Sequence, residues 1–305
     1  MKRVVVFAHY DKDNIIDDYV IYYLKALKEV ADDIIFVSCS PLKEKNKLDG
    51  FVSFIIDEQH DEYDFGSYKR GFFYLKNNNL LENYDELIFA NDSCYGPFYS
   101  LKKVFEKMDN TADFWGITKN KFGMIKKKNK FYFKVRPHIQ SYFLVFNKKI
   151  FMSDIFSEFC SSIKHMEIKN DIIINYEIGL SEILVKNNFT CSSYIKNYAR
   201  FNAVLIYFWR QLVEKYDMPF IKCSILRLYN QTMTSTYEWQ KSIQKVSGYP
   251  VEIIEKNLER TTNKKGLLFY FGFILKYYFY LLGFMPGIVK KIIGKSNNLL
   301  LKKII

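Results

Sequence analysis

The sequence predicts an α/β domain in which short buried strands alternate with amphipathic helices. Three observations lead there. Val4 to Ala8, Ile34 to Val37 and Leu87 to Ala90 are short apolar runs, the pattern of strands covered on both faces. Val20, Tyr23, Leu24, Leu27 and Val30 recur at the spacing of one helix face. Leu87 to Pro97 reads LIFANDSCYGP, an apolar strand that stops at the polar crest Asn91, Asp92 and Ser93.

Composition sets the bounds. With 305 residues, 49% apolar and 18% aromatic, the chain can fill one large domain or one domain with an appendage. The five cysteines (Cys39, Cys94, Cys160, Cys191, Cys223) include no Cys-x-x-Cys pair. That argues against a disulfide framework or zinc site and for a reducing, cytoplasmic compartment. Lys2 and Arg3 lead straight into Val4 to Ala8, too short a run for a signal peptide. The net charge is +12, and eight lysines with no acid stand between Lys264 and Ile305. The excess therefore lies in the most apolar part of the chain, which suits an anionic membrane surface and opposes nucleic acid as the partner.

In chain order, Val4 to Ala8 is the first strand and His9, Tyr10, Asp11, Lys12 and Asp13 its loop, with Asp13 or Asn14 capping the next helix. Ile34 to Val37 and Phe51 to Ile56 follow as strands, which implies parallel βαβ units with right-handed crossovers. Glu58 to Gly71 reads EQHDEYDFGSYKRG, with Asp64 and Gly66 before a helix whose first turn carries Ser67, Tyr68, Lys69 and Arg70. A glycine at a helix start opens backbone N–H groups to phosphate, and the two cations add charge; the alternative is a capped helix with a solvated basic face. After Leu87 to Ala90, Gly96 makes a turn with Pro97 at the first helical position, and Phe98, Leu101, Val104, Phe105 and Met108 form the helix face. Ligands sit at the carboxyl ends of strands in open α/β sheets, so Asn91, Asp92 and Ser93 are site candidates. An Asx turn closing the strand is the other reading.

Asp113 to Ile117 is a further strand. Lys119 to Arg136 is a basic, aromatic-interleaved hairpin, either a solvated sheet edge or a clamp on a diphosphate or on lipid head groups. His138, Ile139 and Gln140 lead into a strand over Ser141 to Phe146, where His138 is a structural hydrogen-bonding residue or a site residue. Phe151 to Ile163 is a helix. Asn175 to Ser181, NYEIGLS, sets Glu177 at a helix start, as a general base or as a plain cap. Ala199 to Leu228 forms closing core helices, Gln231 to Thr236 a loop, and Val251 to Leu258 a short helix. Gly266 to Val289 carries a narrow polar stripe through Lys265, Gly272, Lys276, Tyr280, Gly283 and Lys290. It is a helix in the membrane interface, with packing on the body or a full span as alternatives; a central lysine costs a span about 2.5 to 3.5 kcal/mol. The domain occupies residues 1–230, a linker with a short helix 231–263, and the basic amphipathic tail 264–305.

Six motifs, in order from about residue 3 to residue 258, resemble the rhamnan synthesis protein F family. They are Val6-Phe-Ala-His-Tyr-Asp11, Tyr63-Asp-Phe-Gly-Ser-Tyr-Lys69, Ala90-Asn-Asp-Ser-Cys-Tyr-Gly-Pro97, Asp113-Phe-Trp-Gly-Ile-Thr118, His138-Ile-Gln-Ser-Tyr-Phe143 and Tyr176-Glu-Ile-Gly-Leu180. The family is similar to the GT-A glycosyltransferases. The resemblance implies a GT-A-like α/β domain with a Rossmann-like nucleotide half and an acceptor half. It further implies inverting transfer of a deoxyhexose, typically L-rhamnose, from a nucleotide diphosphate donor such as dTDP-rhamnose. The acceptor would be a lipid-linked oligosaccharide or polysaccharide at the inner face of the membrane. By the same resemblance His9, Asp11, Asp64, Gly66, Lys69, Asn91, Asp92 and Ser93 surround the nucleotide sugar, His138, Gln140 and Ser141 the acceptor, and Glu177 is the base. Asn91-Asp92-Ser93 takes the place of the Asp-x-Asp motif that holds a divalent metal. Only Asp92 is acidic there, so magnesium or manganese would rest on Asp92. A non-catalytic glycan-binding subunit of a polysaccharide assembly complex is the alternative function.

Overall fold

The computed structural model describes residues 1–128, 130–196, 208–229 and 236–262. Its centre is β1 (Arg3–His9), in which Val4 to Ala8 are wholly buried. β1 pairs in parallel with β2 (Asp33–Ser38) on one side and with β4 (Glu86–Asn91) on the other, and β2 pairs in parallel with β3 (Phe54–Asp57). The crossovers carry α1 (Asp18–Lys28) and α2 (Tyr63–Asn77). α2 lies close on β1 because Gly71 faces it: a Cβ there would fall 2.3 Å from Val6 Cγ1. Tyr68 of the same helix stacks on Phe89 of β4 at 4.5 Å.

Beyond β4 the sheet is no longer parallel. β8 (Phe143–Asn147) runs antiparallel to β4 and to β6 (Phe114–Lys127), and β6 forms a hairpin with β7 (Lys130–Ile139). β9 (Cys191–Ile195), which the sequence reading missed, adds parallel to β6. The eight-stranded order is β3-β2-β1-β4-β8-β6-β7, with β9 on β6. The expected parallel units thus cover β3, β2, β1 and β4; β6 and β7 follow one another through a short turn, which permits only antiparallel pairing, and β8 runs antiparallel along the other side of β6.

Several boundaries differ from the sequence reading, each for a local reason. α1 starts after Asp17 rather than at Asp13 or Asn14. The Asp11 carboxylate accepts the N–H groups of Asp13 (2.8 Å) and Ile15 (3.3 Å), and Asn14 has a φ of 63°, so these residues form a turn. Pro97 follows a cis peptide and lies upstream of α3 (Leu101–Met108), whose N-cap is Ser100. The Phe98 N–H donates to the Pro219 carbonyl at 2.8 Å instead of opening a helix. Gln140 to Tyr142 is a turn, because its polar groups are taken by β4, β6 and Glu177. The helix expected over 151–163 is split into α4 (Lys148–Phe151) and α5 (Asp154–Ser162), the second capped by Ser153 Oγ.

Glu177 does not stand at a helix start. α6 (Lys169–Ile172), a π-helical segment (Ile173–Ile178) and α7 (Gly179–Lys186) form one continuous helical run, held by the buried Ile172, Tyr176, Leu180 and Leu184. Of the closing helices, α8 (Trp209–Tyr216) and α9 (Cys223–Tyr229) are described, with β10 (Ile221–Lys222) between them pairing β5 (Cys94–Tyr95). α10 (Trp239–Val246) and α11 (Val251–Thr261) belong to the body rather than to a linker: the first compact unit runs Met1–Arg260. Trp239 is wholly buried, and Tyr95 Oη donates to Asn257 Oδ1 at 2.6 Å. Most of the loop expected over 231–236 and the whole of the tail over 264–305 lie outside the described residues. Among the described residues no helix is long and apolar enough to cross a membrane.

Candidate active site

β2 lies on one side of β1 and β4 on the other, so the chain reverses its winding between β1 and β4. Such a switch point leaves a crevice at the carboxyl ends of the strands. Asn91 ends β4 there, 1% exposed. Its Nδ2 donates to Asp64 Oδ2 at 2.8 Å, and its Oδ1 accepts the Ser93 N–H at 3.1 Å. The Asx turn therefore exists, and the same amide also holds Asp64. Asp92 Oδ2 accepts the Tyr10 N–H (3.0 Å) and lies 3.8 Å from His9 Nε2, while Tyr19 Oη donates to its carbonyl (2.9 Å). His9 also hydrogen-bonds Ser38 Oγ at 3.3 Å; burial pushes its pKa down to about 4, leaving a neutral ring beside Asp92.

Two cations from distant sequence close the crevice. Lys222 of β10 donates to Ser93 Oγ at 2.8 Å and lies 4.6 Å from the centre of the Tyr142 ring. Arg227 of α9 donates to Asn257 Oδ1 (3.0 and 3.2 Å) and, at 3.4 Å, to Tyr19 Oη. Among the described residues neither makes an ion pair. The sequence reading missed both; the signal was there, two cations inside the otherwise apolar IKCSILRLY.

Burial raises the Asp64 carboxyl to about 6, with Asp92 and Glu177 raising it further and Lys222 and Lys169 opposing. Asp92 is pushed up to about 7, again by burial, against the Tyr10 N–H and Arg227. Both groups hold protons in the folded protein that the unfolded chain has already lost above its ordinary carboxylate range. Stability therefore falls as pH rises from about 4 to about 7. Asp92→Asn is expected to raise stability by on the order of 2 kcal/mol at pH 8 and to change little at pH 3.5. Urea unfolding at the two pH values checks this; equal midpoints for variant and parent at pH 8 would refute it.

Across the crevice, the π segment carries Glu177. Its Oε2 accepts from the Ser141 N–H (3.1 Å) and Oγ–H (2.5 Å), and its Oε1 lies 3.7 Å from His138 Nε2. His138 Nδ1 faces the Arg136 carbonyl at 2.8 Å; a carbonyl only accepts, so Nδ1 carries the proton in the neutral ring. Ser141 thus orients Glu177 and His138 flanks it. Gln140 is occupied elsewhere: its Oε1 accepts from Thr118 Oγ1 at 2.6 Å and ties the turn to β6.

Three expected donor-site residues are not brought to the crevice. Gly66 lies inside α2, where its N–H donates to the Glu62 carbonyl and a Cβ would sit 2.5 Å from Glu62 Cβ and 2.9 Å from the His60 ring. The approach of a phosphate to that backbone is closed. Lys69 Nζ donates to the Ile163 carbonyl at 2.7 Å and lies 3.9 Å from Glu62. Asp11 is paired at 2.5 Å with Arg260, which also bonds Asp13 and Asp17. Burial alone would raise Asp11, but Arg260 holds it below the usual carboxylate range.

A profile of rhamnan synthesis protein F matches residues 34–299. The chain belongs to the rhamnan synthesis protein F family. Asp64, Asn91 to Ser93, Glu177, Lys222 and Arg227 all lie within the matched span; His9 and Asp11 precede it. Virulence protein VirA of Vibrio anguillarum is 30% identical over 139 residues, 45% of this chain and 40% of that protein. The uncharacterized protein y4gN of Sinorhizobium fredii is 26% identical over 151 residues, 49% of this chain and 37% of its own. The chain thus matches about two fifths of the length of these relatives. Among solved structures, a nucleoside-diphosphate-sugar pyrophosphorylase from Vibrio cholerae is similar at a TM-score of 0.39 and 13% identity, covering 63% of this chain and 90% of that one. A putative glucose-1-phosphate thymidylyltransferase from Bacillus anthracis stands at 0.39 and 10%, covering 63% and 86%.

Among the described residues of this rhamnan synthesis protein F member, no cluster of three His, Cys, Asp or Glu side chains is arranged around a cation. Asp64 and Asp92 nevertheless each leave Oδ1 without a hydrogen bond among those residues. Magnesium is commonly held by one or two carboxylates together with substrate phosphates, and this pair fits that donor set.

Proposed function

We propose that the chain is an inverting glycosyltransferase that moves a deoxyhexose, L-rhamnose as the family's description suggests, from a nucleotide diphosphate donor onto a surface-polysaccharide precursor. The observation that supports it most is the gathering of both kinds of group about the buried Asp64 carboxyl, which feels Asp92, Lys222 and Glu177 together. Lys222 and Arg227 have no carboxylate partner among the described residues, and Glu177 is oriented by Ser141.

Glu177 Oε1 would take the proton of the acceptor hydroxyl as its oxygen bonds to the anomeric carbon. The bond from that carbon to the diphosphate oxygen breaks in the same displacement, and its electron pair leaves with the diphosphate. Lys222 and Arg227 meet that charge in a site with little water, where preorganised cations act most strongly. A divalent ion held by Asp92 and Asp64 would neutralise further diphosphate charge. One displacement inverts the anomeric centre. An acceptor carried on lipid at the inner face of the membrane agrees with the basic, apolar sequence after residue 264.

Titration calorimetry with dTDP, UDP and GDP, each with and without magnesium or manganese, tests the donor half. One nucleotide is expected to bind, and Asp92→Ala to weaken it about tenfold or more. If none binds under any condition, the transferase reading falls and a non-catalytic glycan-binding subunit takes its place.

A further inference from the structure

α11 carries Asn257 and Arg260 three residues apart on one face, and both reach Asp17, the residue before α1. Asn257 Nδ2 donates to Asp17 Oδ2 at 2.6 Å, and Arg260 Nη2 donates to the same oxygen at 2.5 Å. A carboxylate only accepts, so the Asn257 atom that faces Asp17 is the nitrogen. The amide oxygen accepts from Tyr95 Oη at 2.6 Å and from Arg227 Nε and Nη2 at 3.2 and 3.0 Å. Asn257 is wholly buried.

One helix thus fixes two guanidinium groups in opposite ways. Arg260 is paired with the carboxylates of Asp11, Asp13 and Asp17. Arg227 meets an amide where a carboxylate of the same shape would fit, and its other neighbours, Tyr19 Oη at 3.4 Å and the Tyr95 ring at 6.0 Å, are also uncharged. Its Nη1 makes no hydrogen bond among the described residues, and the side chain is half-buried. Charges drawn out of water are ordinarily paired. A neutral acceptor satisfies the guanidinium hydrogens and leaves the charge. Tyr19 Oη donates in turn to the Asp92 carbonyl at 2.9 Å, and Arg227 draws the Asp92 carboxyl downward, so the charge is felt in the crevice.

We propose that Asn257 is a positioning residue that holds Arg227 without neutralising it, so that this guanidinium meets the phosphates of an anionic ligand, while Asp17 keeps the carboxylate of the pair on Arg260. That the ligand is a nucleoside diphosphate rests on the proposed transferase; the division of charge stands on α11.

The test uses the full chain and inorganic pyrophosphate, with and without magnesium, in titration calorimetry. The exchange of Asp17→Asn with Asn257→Asp keeps the net charge, the shapes and a hydrogen bond between the two side chains, and moves the carboxylate from Arg260 to Arg227. Pyrophosphate is expected to bind this variant about tenfold or more weaker than the parent, with an unfolding midpoint near the parent's because Arg260 keeps Asp11 and Asp13. Equal affinities would overturn the proposal, and so would a parent that binds no pyrophosphate in either condition. NMR of the unaltered chain with isotope-labelled arginine needs no variant: pyrophosphate is expected to move the side-chain resonances of Arg227 and to leave those of Arg260 in place. Arg227 resonances that stay in place overturn the proposal even if a nucleotide binds. Pyrophosphate bound at Arg227 with no binding of dTDP, UDP or GDP would remove the transferase and leave the role of Asn257 standing.

Discussion

Glu177→Gln is expected to lower turnover by roughly 10²-fold or more, the scale of a lost general base, while nucleotide affinity and stability stay near those of the parent. Glutamine keeps the shape and one carbonyl oxygen that can accept from Ser141, so the turn over Gln140 to Tyr142 keeps its anchor. What it loses is the ability to take a proton. The signature is a fall in kcat with little change in the KM for the donor. Turnover within a few-fold of the parent would remove Glu177 from the role. The alternative once open in the sequence, a helix-cap glutamate, is already absent, since Glu177 lies within a continuous helical run and its partners are Ser141 and His138.

Lys222→Met is expected to weaken nucleoside diphosphate binding about 10- to 10²-fold and to reduce turnover by about 10²- to 10³-fold, the range seen when a charge-stabilising donor is removed. Methionine keeps the length of the aliphatic stem and removes the ammonium that stands over Tyr142, so the loss reports the charge. The effect should shrink in the order diphosphate, monophosphate, nucleoside, because each step removes anionic oxygens for Lys222 to meet. Lys222 also draws the Asp64 carboxyl downward, so its removal should raise the Asp64 titration point, which carboxyl NMR can follow. An equal loss for all three ligands would point to collapse of the crevice instead. Arg227 is the less clean probe, since it also ties α9 to Asn257.

The parts of this fold that were legible are those where burial is complete. β1, β2 and β4 are runs with both faces covered, and no polar side chain interrupts them before the strand ends. The polar crest at Asn91 and Asp92 was legible for the same reason, as an abrupt end to such a run. Glu177 was expected at a helix start and lies instead inside a helical run, because the buried spacing of Ile172, Tyr176, Leu180 and Leu184 carries the helix through. Gly66 and Lys69 misled because the motif resembles an anion cradle, whereas close packing of His60 and Glu62 fills the space where an anion would enter. Lys222 and Arg227 could not be placed at all, since their approach to Asp92 depends on pairing β10 with β5 across more than a hundred residues.

The clasp of Arg260 on Asp11, Asp13 and Asp17 bears on how this protein is made. The loop that follows β1 leaves the ribosome carrying three carboxylates, and the guanidinium that pairs with them is synthesised 249 residues after Asp11. Until α11 emerges, those carboxylates lack that partner, and their mutual repulsion favours a hydrated loop. A nascent chain halted before Arg260 would thus have β1 and β2 in place with the three carboxylates of the loop between them still without that guanidinium.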